Sequence, residues 1–400
     1  MISSFGSRLW LSQLAAAVFA FGLVSGLEIG DGVDPVRAQQ SIAEQYQERK
    51  RIHNMNTVTI MAAGISGTYA PFAQDLQTVL DEPDKEHGLR ILPILGLGGG
   101  ANVLDVLFLE GVDMGITQQE HLEFFRQRDP ELHARIYDRV HYITKLYNSE
   151  YHLLARKDIQ KFEDLRGKKV AFYKNFSATD IAGRTIFKML DIDVEPVYTS
   201  LKSALEMLRN GEVAGVTYLA GAPVSGYKTM VEPDDNFHFV PLGPDTLAPG
   251  QFEKLLEVFL PTQLTHDTYP DLIAEGQPVA TVASGAVLAV YNWSEDSERY
   301  KKVANFVEKF FDSFDEFLKA PRHPKWKEVN LAAEIPGWTR FRPAQEWLNR
   351  NRATASTEVK EQFNEFLQEA AGPEQLSEEQ KDALFTEFVK WRESRSSAEN

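Results

Sequence analysis

Gly64-Ile65-Ser66-Gly67-Thr68-Tyr69-Ala70-Pro71 is the stretch on which the fold turns. Before it runs Val58-Thr59-Ile60-Met61-Ala62-Ala63, apolar and β-branched like a buried strand. After it, residues 72–80 carry apolar side chains at helical spacing. A strand that breaks at a Gly/Ser/Thr turn and resumes as a helix leaves backbone N–H groups and hydroxyls at a helix N-terminus. That arrangement suits a small anion.

Outward from this loop the alternation continues. Strands are expected at 57–63, 90–95, 112–117, 140–146 and 152–156, with helices at 69–80, 101–110 and 119–126. A second series follows a short helix at 162–167. It has strands at 169–173, 194–198, 213–219 and 237–242, and helices at 177–190 and 201–208. The pattern predicts an α/β fold with a largely parallel sheet, helices on both faces, and two similar lobes in tandem. Lobe 1 is expected over 57–150 with a return segment over 266–319, and lobe 2 over 151–265. Strand character recurs at 279–282 and 286–290. Val303, Phe306, Val307, Phe310, Phe311, Phe314, Phe317 and Leu318 then fall on one helical face. That aromatic stripe reads as core packing before it reads as a ligand platform.

The ends have a different composition. Residues 1–38 read as a secretory signal peptide, with Arg8 in the charged region, an apolar run over 9–24, and Val36-Arg37-Ala38 before the cut. Val24-Ser25-Gly26 is a second cleavage point, and an uncleaved anchor is the alternative. Residues 39–56 form a polar leader. From Ala320, Pro321, Pro324, Pro336 and Pro343 mark a broken connector, and amphipathic helices are expected at 357–371 and 377–394. Together 320–400 make a helical C-terminal extension.

The 400-residue chain has no cysteine, so disulfides, thiol nucleophiles and thiolate metal sites are excluded. The first 38 residues carry Arg8 and Arg37 against Glu28, Asp31 and Asp34, so nearly all of the formal charge of −16 lies beyond them. Nucleic acid and anionic membrane surfaces are disfavoured partners. A small anion held by local dipoles is not.

Further loops share the chemistry of the first. Gly98-Gly99-Gly100-Ala101-Asn102 follows a strand and opens a helix; with Gly96 it matches the dinucleotide fingerprint G-x-G-x-x-A. That fingerprint wants an acid at the end of the next strand. Here Asp113 stands at the start of that strand, and the end reads Thr117-Gln118-Gln119, which suits a small polar ligand better. Asn175-Phe176-Ser177-Ala178-Thr179 reads as an N-cap or as a hydroxyl pair for a carboxylate. Ala220-Gly221-Ala222-Pro223 is a turn or a backbone surface against a ligand. All lie at the carboxyl ends of strands, where open α/β sheets bind ligands. G-x-S-x-G, H-E-x-x-H and the P-loop are absent, and the nine histidines show no metal-ligand spacing.

Taken in order, these motifs resemble solute-binding proteins of the TAXI type, which serve TRAP transporters. Residues 64–71 look like the family's G-x-x-G-T-Y-x-P. Residues 98–104 look like its second Gly-rich turn, and 110–118 are similar to its G-x-x-D-x-x-x-x-Q strand. Asp164-Leu165-Arg166-Gly167-Lys168-Lys169-Val170 resembles D-L-[KR]-G-K-[KR]-V. Asn210-Gly211-Glu212-Val213 and Ala220-Gly221-Ala222-Pro223 resemble its later G-x-[IV]-D and A-G-A-P segments. The likeness covers about 57–314. It implies a two-lobed, type II periplasmic-binding-protein fold with an interlobe cleft. It also implies capture of a small carboxylate and delivery to TRAP membrane subunits, with no catalysis and no cofactor.

By motif, Ser66, Gly67, Thr68, Tyr69, Gly99, Asn102 and Gln118 would hold the ligand from one lobe. Ser177, Thr179, Gly221, Ala222 and Pro223 would close from the other, and Tyr69 or Tyr147 would cover it. Two departures stand out: Asn175-Phe176-Ser177-Ala178-Thr179 replaces the usual P-G-S-G-T, and Ala214 stands where Asp is common. The expected location is periplasmic. The rival outputs are a ligand sensor docking on a membrane histidine kinase and an exported enzyme on the same scaffold.

Overall fold

The computed structural model describes residues 35–85 and 87–351. The expected signal peptide lies outside the described residues except for its last four positions, and the helices expected at 357–371 and 377–394 lie wholly outside them. The chain divides into two units, 1–50 and 51–400. Helix α1 (Pro35–Met55) takes in most of the expected leader and crosses from the first unit into the second.

In the second unit the elements run β1 (Thr57–Met61), α2 (Tyr69–Leu80), β2 (Arg90–Ile94), α3 (Gly100–Phe108), β3 (Met114–Gln118) and α4 (His121–Arg128). Two single turns follow, α5 (Pro130–His133) and α6 (Ile136–Arg139), before the long strand β4 (Val140–Arg156). The pattern restarts with β5 (Lys169–Phe172), α7 (Ala178–Met189), β6 (Glu195–Tyr198), α8 (Leu201–Arg209) and β7 (Gly215–Ala220). Then come α9 (Ser225–Met230), β8 (Phe237–Phe239), α10 (Gln251–Leu255), β9 (Leu260–Leu264), β10 (Val279–Tyr291), α11 (Glu298–Asp312) and α12 (Phe314–Phe317).

The strand order is β2-β1-β3-β10-β4-β7-β5-β6, with β8 added on β4 and β9 on β10. Read from its two edges inward, the order repeats: β2-β1-β3-β10 on one side, β6-β5-β7-β4 on the other. Within each set the outer strands are parallel; β10 and β4 join them antiparallel. The sheet is therefore mixed at its centre, where the sequence suggested a largely parallel one. β4 has 17 residues and β10 has 13. Residues 140–150 of β4 pair with β10, and 150–155 pair with β7, so one strand serves both lobes. The sequence read β4 as two strands because Asn148-Ser149-Glu150 interrupts the apolar run. The backbone continues through it, because partners lie along both edges. β9, α9 and α10 were not foreseen; each is six residues or fewer, too short to show a period.

Side-chain packing separates two lobes. Val58, Phe72, Ile116, Leu288 and Phe306 share one core with Trp326 and Phe341, and a second first-lobe core gathers Val103, Phe125 and Trp338. In the other lobe, Tyr151, Phe172, Ile186 and Val282 pack on one face, and Val216, Tyr227, Tyr269, Ile273 and Val279 on the other. Along β10, Val279 and Val282 pack with the second lobe, and Ala286, Leu288 and Val290 with the first. The aromatic stripe of α11 and α12 is core, as expected, though Leu318 is 40% exposed and Phe314 only half-buried.

The segment from Ala320 is more than an appendage. Trp326 is fully buried; its ring stacks on Phe72 at 4.2 Å and meets Phe317 at 4.4 Å, and its Nε1 donates to Asp75 at 2.9 Å. Lys325 pairs with Glu150, whose other oxygen accepts the Ala222 N–H at 2.7 Å. The segment therefore touches the crossing point of β4 as well as the first-lobe core. Trp326→Ala should lower unfolding free energy by about 3–5 kcal/mol, the usual cost of emptying a large aromatic site. Urea unfolding followed by circular dichroism measures it, and a loss below about 1 kcal/mol would show that the indole is not part of the core.

Candidate functional site

In each lobe the strand order reverses beside its first strand: the chain passes from β1 out to β2 and back to β3, and from β5 out to β6 and back to β7. Such switch points open a crevice at the carboxyl ends of the strands. The loops after β1 and β5 lie there.

In the first lobe, Thr68 stands at the N-cap of α2, and Gly67 N–H closes a turn on Gly64 O at 3.2 Å. The side-chain amide of Asn102 donates to Met61 O, Ala62 O and Ile116 O at 2.8–3.0 Å. It thereby pins α3 to the ends of β1 and β3. Gly99, at φ +62°, caps α3. A Cβ there would overlap Ala178 N of the opposite lobe, so glycine permits the close approach of the two backbones.

In the second lobe, Ser177 caps α7 and its Oγ accepts the Asp180 N–H at 3.2 Å. Thr179 Oγ1 accepts the Leu219 N–H at 3.1 Å, tying α7 to the end of β7. Both hydroxyls keep their own proton to donate.

These pieces meet around one cavity. Gly67, Thr68, Tyr69 and Gly99 line it from the first lobe, and Ser177 and Thr179 from the second. Leu97, Gly98, Tyr173 and Tyr218 also line it, with Ala63, Ala178, Leu219 and Ala220; Gly98 belongs to the second Gly-rich turn read from the sequence, whereas Leu97, Tyr173 and Tyr218 carried no signal. About 350 Å³ lies between the atoms. The lobes are closed on each other. Thr68 Oγ1 donates to Gly221 O at 3.0 Å, Ser66 Oγ meets Tyr218 Oη at 2.9 Å, and Ala101 N–H donates to Phe176 O at 3.1 Å. Among the described residues, no charged side chain lines the cavity. The N-termini of α2, α3 and α7 all reach it, each carrying a partial positive charge.

The remaining predicted residues stand around the cavity rather than on it. Ser66 and Gly221 bridge the lobes at its rim, Ala222 bonds Glu150, and Pro223 follows in the same turn. Asn102 is fully buried, with its amide nitrogen engaged on backbone. Asp113, the acid out of place for a nucleotide, accepts from Thr59 N–H and Lys302 Nζ at the far end of β3. Gln118 sits one side chain behind the cavity. Its Nε2 donates to Tyr69 Oη at 2.7 Å and Ser149 Oγ at 3.0 Å, while its Oε1 lacks a partner among the described residues. Tyr147 packs on Phe72 at 4.4 Å between ring centres, beside Gly221, and its buried hydroxyl has no hydrogen-bond partner among those residues. Burial pushes the phenols of Tyr69 and Tyr147 well above their ordinary value, so both stay neutral donors.

Just beyond β3 stands a pair that the sequence did not single out. Glu120 accepts from Ser284 Oγ, and its other oxygen lies 3.7 Å from His121 Nε2. Burial raises the Glu120 carboxyl to about 7 and lowers His121 to about 3. The ionised Glu120 also acts on Tyr69, raising its pKa. Their position directly after the strand end was the available signal.

A carboxyl held above its unfolded pKa stabilises the fold fully below about 4.5, and loses that contribution as pH rises through about 7. Glu120→Gln should therefore gain stability relative to the parent between pH 5 and pH 8, by about 2–3 kcal/mol in all. Thermal melts of both proteins across that range provide the check. His121 is common to both and titrates below this window, so a constant difference would show that Glu120 is not held neutral.

No curated protein matches the chain. Among solved structures, one described as a periplasmic transporter is 13% identical, covering 76% of this chain and 97% of its own, with a TM-score of 0.43. The periplasmic sulfonate-binding protein SsuA from Methylobacillus flagellatus KT is 13% identical over 70% of this chain and 75% of its own, at 0.40. The substrate-binding protein of an amino acid ABC transporter is 12% identical over 66% and 97%, also at 0.40. Likeness this loose says nothing of the ligand. The family comparison is firmer. The model of the NMT1-like family matches residues 60–336, from β1 through both lobes to the segment that carries Trp326, and the chain belongs to that family.

Proposed function

We propose that this protein is an exported solute-binding receptor of the TAXI type. It captures a small carboxylate-type anion between its lobes in the periplasm and delivers it to the membrane subunits of a TRAP-type transporter. It does so without catalysis or a cofactor. The observation that carries the reading is the convergence of three helix N-termini, from both lobes, on one cavity that no charged side chain lines among the described residues. Backbone N–H groups in the first turn of a helix lack intrahelical partners and attract negative charge. Ser177 and Thr179 add hydroxyl donors, Tyr69 adds a neutral phenol backed by Gln118, and the Thr68 hydroxyl closes the lobes by donating to Gly221 O. Ser66, Gly67, Gly99, Asn102, Tyr147 and Gly221 to Pro223 serve by shaping and closing the cleft around these donors.

The cavity of about 350 Å³ is walled by both lobes, and hydrogen bonds between the lobes hold it shut. The solute therefore enters when the lobes are parted. Binding pulls the equilibrium toward closure by as much as the solute prefers the closed form. The motif order over 57–314 supports the TAXI assignment, and the apolar run over 9–24 supports export.

Calorimetry of the purified protein against mono- and dicarboxylates, sulfonates and phosphates tests the reading. At least one carboxylate should bind with a dissociation constant in the micromolar range or below, and its uncharged amide should not. Ser177→Ala and Thr179→Val should each weaken that binding about tenfold, the value of one hydrogen bond to a charged group. Absence of heat and of thermal shift across the whole panel would overturn it.

A further inference from the structure

The turn between β5 and α7 puts a bulky side chain where the backbone favours glycine, and the structure gives that side chain a use. Phe176 sits at φ +62°, a conformation that glycine adopts freely and bulky side chains rarely do. The surroundings hold it there. Its N–H donates to Asp180 Oδ2 at 2.8 Å, and its carbonyl accepts the Ala101 N–H of the opposite lobe at 3.1 Å. Its ring leaves the second lobe and packs against the first-lobe core that contains Phe125 and Val103. The ring centre lies 6.2 Å from that of Phe125, and the Arg128 guanidinium covers the ring at 4.3 Å.

Phe176 does not line the cavity. Its contacts therefore reward closure whatever the solute is, and whether or not one is present.

We infer that Phe176 is a positioning residue that bolts the second lobe to the first, setting the fraction of closed protein in the absence of solute. The apparent affinity for every solute then scales with that fraction by a common factor, and the ranking of solutes is left alone. The second part rests on the receptor reading. The first needs no solute at all.

The chain's lack of cysteine makes the measurement clean. Cysteines placed at Gln127, exposed on α4, and Lys202, exposed on α8, take a spin-label pair, one label on each lobe. Without solute, the parent should show mainly one short distance. Phe176→Gly removes the ring and relaxes the backbone, and should move at least half of that population to longer distances. Phe176→Tyr, which keeps the ring, should restore the parent distribution, and Arg128→Ala should shift it part of the way.

Thermal melts follow each variant. Phe176→Gly should melt within a few degrees of the parent, and an unfolded Gly variant would leave Arg128→Ala and Phe176→Tyr to decide. Unchanged distances in Phe176→Gly and Arg128→Ala overturn the inference, as does a parent already open without solute. For any solute that binds, Phe176→Gly should raise the dissociation constant by one shared factor. A factor that differs between solutes would place Phe176 against the solute and overturn the mechanism. If nothing binds yet the distances shift, the bolt stands and the receptor reading fails.

Discussion

The antiparallel pairing of β4 with β10 is the constraint on which everything else hangs. Each strand is long enough to leave one lobe and become part of the other. β4 gives up β10 near Glu150 and takes β7, and β10 gives up β4 near Ala283 and takes β9. Both lobes are thus built on a shared pair of ribbons, and the only cheap way to move one against the other is to bend that pair. The register shifts on β10 between Gly285 and Ala289 fall close to the crossing, where an irregular ladder bends most easily. Glu150, fixed from one side by Lys325 and from the other by the Ala222 N–H, stands at the crossing itself.

That geometry explains why polar side chains gather where a sheet would normally be apolar. Gln118, Ser149, Glu120 and Ser284 lie in one buried band beneath the cleft, and two of its oxygens, Gln118 Oε1 and Glu120 Oε1, have no hydrogen-bond partner among the described residues. Unsatisfied buried groups are costly and persist where a structure has a use for them. The band keeps Tyr69 oriented and neutral at the cavity wall. The buried carboxyl of Glu120 opposes an anion when ionised, and the same burial holds it near neutrality. An electrostatic environment built from helix ends attracts negative charge in a chain whose overall charge repels it.

Much of this was legible in the residues. Strand, Gly/Ser/Thr loop and helix recur in the order that the structure shows, and the aromatic face of α11 reads as core from spacing alone. Legibility ended where a local pattern and a tertiary contact disagree. Asn148-Ser149-Glu150 looks like a break because strand reading depends on apolar alternation, yet pairing on both edges carries the backbone through it. Asn102 looks like a ligand donor because an amide after glycines can be one; its three backbone acceptors come from β1 and β3, which no local window contains. Trp326 sits among prolines with no periodic neighbours, so nothing nearby announced that it fills a core more than 250 positions from Phe72. Phe176 was visible as an oddity. Only the opposing Phe125 and Arg128 explain it.

The division of the cores along the chain also fixes an order of assembly. Side chains that pack in the second lobe lie between Tyr151 and Val282, a block from which Phe176 reaches across, whereas the first lobe needs residues on both sides of it, among them Trp326, Phe341 and Ala344. As the polypeptide emerges from the ribosome, the middle of the molecule has all its own parts before the beginning does. The earliest-made strands must wait, exposed, for the last-made segment to arrive and cover Phe72.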